Sequence, residues 1–100
     1  MRQIDILIVE DDVNLRDALC DTLDIAGYSV MVAEHGQAAL LKLAEQSFRM
    51  VITDVQMQPM DGMELLSQIR QQYTELPVVM MTAYGTIEKA VESMHDGAVD

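Results

Sequence analysis

Ile6-Leu7-Ile8-Val9-Glu10-Asp11-Asp12 decides the fold: a short run, apolar at every position, that ends abruptly in three acids. A strand with one wet face alternates apolar and polar residues, whereas a run apolar throughout reads as a strand covered on both faces, in the middle of a parallel sheet. Two further runs repeat the pattern. Met50-Val51-Ile52-Thr53 ends at Asp54, and Val78-Val79-Met80-Met81 ends at Thr82. Ligands of open parallel sheets bind beyond the carboxyl ends of the strands, so these endings are expected to converge on one crevice. Several carboxylates in one cleft repel, and they stay ionised together only if a cation joins them. Mg²⁺, which prefers hard oxygen ligands and keeps several waters, fits best. The crevice therefore reads as a metal-assisted phosphate site.

Around these runs, strand and helix patterns alternate. Ile4 to Val9 is the first strand, and Asp11 or Asp12 caps a helix reaching about Ala26. Leu15, Ala18, Leu19, Thr22, Leu23 and Ala26 recur at helical spacing, and Gly27 supplies the stop. Val30 to Ala33 reads as a second strand, Gly36 to Ser47 as a helix with Ala39, Leu40 and Leu43 inward, and Met50 to Asp54 as the third strand. Asp61 and Glu64 stand at capping-box spacing before a helix to about Gln72, and Pro77 opens the fourth strand. A last helix is expected from Thr86 to His95, with Ile87, Ala90, Val91 and Met94 on one stripe and Gly97 at its end. This alternation predicts an α/β fold.

Composition narrows the function. Half of the 100 residues are hydrophobic, enough for one domain with a modest core. Six Lys and Arg stand against 17 Asp and Glu, and a net charge of −11 argues against direct binding of nucleic acid or of an anionic membrane. No apolar run approaches the roughly 20 residues of a spanning helix, and the N-terminus lacks the pattern of a signal peptide. A cytoplasmic protein is expected. Cys20, the only cysteine, is read as a packing residue, and His35 and His95, without ligand spacing, as exposed and inert.

The motifs taken together resemble the receiver domains of bacterial two-component response regulators. Four stretches carry the resemblance in order: Glu10-Asp11-Asp12; Asp54 followed by Met57, Pro59, Met60, Asp61 and Gly62; Met81-Thr82-Ala83-Tyr84-Gly85; and Gly97-Ala98-Val99-Asp100. The stretch Thr82 to Gly85, with Ala90-Val91 and Gly97 to Asp100, is most similar to receivers of the nitrogen-regulation class or of the related class that carries a helix-turn-helix output. The resemblance implies a flavodoxin-like doubly wound sheet, like that of chemotaxis receivers, in the order 2-1-3-4 here. A fifth strand, with the family's lysine, and a fifth helix are expected beyond Asp100. Residues 1–100 are thus expected to form a receiver domain incomplete at its C-terminus, with the exposed sheet edge allowing a homodimer. By resemblance, Asp54 is the phosphoacceptor, its donor a sensor histidine kinase, and its target a downstream output domain or protein that regulates transcription.

Residue chemistry agrees with these roles. A carboxylate such as Asp54 is ionised at neutral pH and attacks without a general base. Phosphoryl transfer depends on positioning and on neutralising the equatorial oxygens, which a cation held by Asp11, Asp12 and Asp54 can supply. Glu10 is expected to be a neighbour of this site, and Asp61 a helix cap. The family's remaining metal ligand is the backbone carbonyl at Gln56. Thr82 offers a hydroxyl and Ala83 an N–H to phosphoryl oxygens. Gln56 and Tyr84 are expected to modulate the approach of water, with Tyr84 either at the pocket mouth or on an exposed loop. Met57 and Met60 flank the acceptor loop. One departure from the family is Gln58, which displaces the loop proline to Pro59, and this shift is expected to change the loop's path or dynamics. A hydrolase with an aspartyl-phosphate intermediate is the competing class, but such enzymes carry a second acid where this chain has Gln56. A pure interaction domain with a vestigial pocket is the other rival, and the full set of Asp11, Asp12, Asp54 and Thr82 argues against it.

Overall fold

Strand β1 (Ile4–Val9) lies between β2 (Val30–Ala33) and β3 (Phe48–Asp54), and β4 (Val78–Met81) pairs with the far side of β3. All three pairings are parallel, giving the order β2-β1-β3-β4. This is the doubly wound, flavodoxin-like arrangement expected above. The computed structural model describes residues 3–57 and 60–81. Gln58, Pro59 and the expected helix from Thr86 to His95 with Gly97 lie outside the described residues.

The both-face reading of β1 is realised, since Ile6 to Val9 are at most 2% exposed. Alternation sends these residues into two cores. Leu7, Val9, Val51, Val78 and Met80 pack with Ala39 and Leu43 of α2 (Gly36–Glu45) and with Leu65, Leu66 and Ile69 of α3 (Gly62–Gln72). Ile6, Ile8 and Ile52 face the other way, toward Leu19, Cys20 and Leu23 of α1 (Val13–Ile25). Each fully buried aliphatic side chain contributes about 1.5–3 kcal/mol, and α1 has none, so the α2 and α3 side anchors the domain.

Helix ends follow their local chemistry. The Asp12 side chain caps α1 through the Leu15 N–H at 3.0 Å, and the Asp61 side chain caps α3 through the Glu64 N–H at 2.8 Å. At the other end of α1, the N–H groups of Gly27 and Tyr28 return to the carbonyls of Asp24 and Leu23. That closure needs a left-handed residue, and Gly27 supplies it at φ 98°.

Some boundaries and faces differ from expectation. β3 starts at Phe48 instead of Met50, because Phe48 is a buried core residue paired with Ile4 while Arg49 points outward and interrupts the apolar run. Helix α2 ends at Glu45, short of Ser47. On α1, Ala18, Thr22 and Ala26 are exposed, and the inward stripe is the narrower set Leu15, Leu19, Cys20 and Leu23. His35 is half-buried and has work to do: its Nδ1 accepts the Ala38 N–H at 3.1 Å and caps α2.

Two glycines are closely approached. A Cβ on Gly36 would lie 2.6 Å from the Met60 sulfur, at the far end of a flexible side chain. A Cβ on Gly62 would instead collide with the Asp54 carbonyl and sit 2.8 Å from the Val55 Cα, both backbone. Alanine is a better helix former than glycine by about 1 kcal/mol, but overpacking against backbone costs about 1–3 kcal/mol, so the clash wins. Gly62→Ala is therefore expected to lower the urea midpoint, and an unchanged or raised midpoint would contradict this packing.

Candidate functional site: an acidic cluster at the strand ends

The chain leaves β1 toward β2 on one side and leaves β3 toward β4 on the other, so the crevice of the sheet opens between the carboxyl ends of β1 and β3. Backbone pairing continues past both strands. The Glu10 N–H donates to the Ala33 carbonyl at 3.1 Å, and the Val55 N–H to the Met81 carbonyl at 2.6 Å. The residues on either side of the crevice thus start from fixed backbone.

Carboxylate oxygens of Glu10, Asp11 and Asp54 converge there, all within 4.8 Å of one another. Glu10 is fully buried, Asp54 is 3% exposed and Asp11 is exposed, so the cluster has a closed floor and an open rim. Asp54 ends β3, and its Oδ1 accepts the Gln56 N–H at 3.1 Å. Glu10 Oε2 accepts the Asp12 N–H at 3.0 Å, while Glu10 Oε1 is buried without a hydrogen-bond partner among the described residues. Burial, opposed by the Asp12 N–H and reinforced by neighbouring Asp11 and Asp54, pushes the Glu10 carboxyl up to about 7.

The membership of the cluster differs from expectation at one place. Asp12, expected as a metal ligand, is exposed and spends its Oδ1 on the first turn of α1. Glu10, expected only as a neighbour, stands in the cluster. The open N–H groups of a helix's first turn compete for a nearby carboxylate, and Asp12 is the acid that immediately precedes α1. Gln56 is exposed beside Asp54, and Met57 and Met60, which follow it, are buried in the core. Thr82, Ala83 and Tyr84 lie outside the described residues. A hollow of about 840 Å³, lined by Phe48, Tyr73 and Leu76 among others, is at the opposite end of β3 and is remote from this chemistry.

The donor set suits a hard divalent cation. Three carboxylates within 4.8 Å and an unpartnered buried oxygen are what a Mg²⁺ ion would neutralise and satisfy.

Without metal, the raised Glu10 carboxyl has a signed consequence. Between pH 4.5 and about 7 the folded protein holds a proton that the unfolded chain has released, so raising pH through that window removes stability. Melting curves in chelator should therefore show the wild type losing ground to Glu10→Gln as pH rises across this range. Parallel pH profiles would contradict the buried, unpartnered carboxyl.

Known proteins share this arrangement of strands and sequence. Residues 6–100 match the family described as the response regulator receiver domain. The response regulator protein FleR of Pseudomonas aeruginosa is 50% identical over 95 residues, which are 95% of this chain and 20% of FleR. The transcriptional regulatory protein ZraR of Escherichia coli is 42% identical over 97 residues, 97% of this chain and 22% of ZraR. The chain thus spans about a fifth of the length of these relatives. The solved structure of the Vibrio cholerae chemotaxis protein CheY4 superposes with a TM-score of 0.82 at 34% identity, covering 98% of this chain and 83% of that one. With the family match running from residue 6 to residue 100 and the strand order shared, the chain belongs to the response regulator receiver domain family.

Proposed function

We propose that this receiver accepts a phosphoryl group on Asp54 from a phosphohistidine of a partner sensor histidine kinase, with Mg²⁺. The observation that carries this reading is the nearly buried Asp54 carboxylate within 4.8 Å of two further acids, at the crevice of the sheet. Asp54 Oδ1 is engaged by the Gln56 N–H, so attack falls to the other oxygen. A new O–P bond forms there as the N–P bond of the phosphohistidine breaks, and the departing imidazole nitrogen takes up a proton from solvent. Glu10, Asp11, Asp54 and the Gln56 backbone carbonyl would hold the cation, while Asp12 caps α1. When bound, Mg²⁺ supplies positive charge that offsets the carboxylates and the phosphoryl oxygens.

Thr82 and the Ala83 N–H are assigned to the phosphoryl oxygens, and Gln56 and Tyr84 to control of water at the acyl phosphate. A group of charge near −2 drawing on Thr82 would reshape the segment that follows and with it a protein-binding surface. The likeness to ZraR, a transcriptional regulatory protein, supports an output that controls transcription. The net charge of −11 supports a protein partner and not direct contact of this segment with nucleic acid. No described helix is long and apolar enough to cross a membrane, and a cytoplasmic location is part of the proposal. The chemistry is that of a self-modifying signalling domain, without turnover of a separate substrate.

Incubation with acetyl phosphate and Mg²⁺ should add a single phosphate to the intact protein by mass, and Asp54→Asn should take none. Equal labelling of wild type and Asp54→Asn would contradict the assignment.

A further inference from the structure

The turn that carries Glu10 and Asp11 is tied from both directions. Upstream, the Glu10 N–H is paired with the Ala33 carbonyl as an extension of the β1–β2 ladder. Downstream, the Asp12 N–H returns to Glu10 Oε2. The Glu10 carbonyl lies beyond the ladder, and it is taken by the guanidinium of Arg16, whose Nη1 stands 3.2 Å away. Arg16 is half-buried one turn into α1, and its own N–H donates to the Asp12 carbonyl at 2.9 Å. Arg49 lies away from this turn, near Asp5 at 3.7 Å, and Arg70 donates to the Tyr73 and Leu76 carbonyls beyond α3.

We propose that Arg16 is a positioning residue of the acidic site: by holding the Glu10 carbonyl it fixes the peptide plane from which Asp11 is presented toward Asp54. The proposal rests on the reading of this cluster as a cation site. Asp11 is the exposed member of the cluster, so its reach toward Glu10 and Asp54 depends on the direction its backbone gives it. If the Glu10–Asp11 peptide rotates, the third carboxylate leaves. A purely electrostatic role has the opposite sign. Removing a cation beside an acidic site makes the site more negative and raises its affinity for Mg²⁺, whereas losing a positioning bond lowers it.

The test is calorimetric titration of Mg²⁺ into wild type, Arg16→Met and Arg16→Lys, with the metal-free proteins compared by NMR. Methionine keeps much of the apolar stem but no donor, and lysine keeps the charge but not the planar fork. The dissociation constant is expected to rise about tenfold or more in Arg16→Met, the range seen when groups supporting metal ligands are removed, with Arg16→Lys in between. In metal-free Arg16→Met, the carbonyl carbon of Glu10 and the amide of Asp11 should shift while the amides of Leu65 to Ile69 stay in place. Unchanged or tighter Mg²⁺ binding in Arg16→Met, or an unmoved Glu10 carbonyl, would overturn the role of Arg16. A wild type that binds no Mg²⁺ would overturn the cation reading and this proposal with it. Should Arg16→Met fail to fold, Arg16→Leu, which also lacks a donor, takes its place: binding equal to wild type refutes the positioning bond.

Discussion

Mutual repulsion among Glu10, Asp11 and Asp54 is the constraint around which this domain is organised. Like charges within 4.8 Å in a partly closed crevice would separate if the backbone allowed it. It does not, because two parallel ladders pin the cluster from below. The Glu10 N–H belongs to the β1–β2 pairing and the Val55 N–H to the β3–β4 pairing. Burial, with neighbouring Asp11 and Asp54 adding to it, instead pushes the Glu10 carboxyl up to about 7. A site built in this way could hold a cation, and the proposed function rests on that capacity.

Packing holds the residues after Asp54 just as firmly. Gly62 opens α3 directly against the Asp54–Val55 backbone, and its N–H donates to the Val55 carbonyl at 2.9 Å. Met57 and Met60 are buried in the core shared with α2 and α3, and Met60 lies over Gly36 at the start of α2. A change of charge or bulk at Asp54 therefore meets two helix starts as well as a strand end. Movement at Asp54 has a route through packed groups, which suits the proposed role of a domain that reports modification to a partner.

Much of this was legible in the residues, and the exceptions have physical causes. Strand β1 is apolar on both faces, so its place inside a parallel sheet and the crevice at its end could be read directly. The start of β3 could not, because Arg49 turns outward between buried Phe48 and the apolar run that follows. Three consecutive acids defeat spacing arguments: nothing in Glu10-Asp11-Asp12 says which carboxylate turns inward and which caps the next helix. Asp12 immediately precedes Val13, the first residue of α1, and that position decided the matter in favour of capping. His35 was missed because histidine is not among the usual capping residues, although its Nδ1 is a competent acceptor. The contact from Arg16 to the Glu10 carbonyl is a tertiary fact that no local pattern carries.

Overall acidity sharpens the point, since at a net charge of −11 the whole domain favours a cation at the strand ends. Mg²⁺ titration of the wild type, Asp11→Asn and Asp12→Asn tests the central claim most directly. Asparagine is itself a good helix cap, so Asp12→Asn isolates the metal question from the fold. The account predicts that Mg²⁺ stabilises wild type and Asp12→Asn alike, by about 2.7 kcal/mol at a hundredfold excess over the dissociation constant, and that Asp11→Asn loses most of this gain. Loss of Mg²⁺ stabilisation in Asp12→Asn with retention in Asp11→Asn would contradict it.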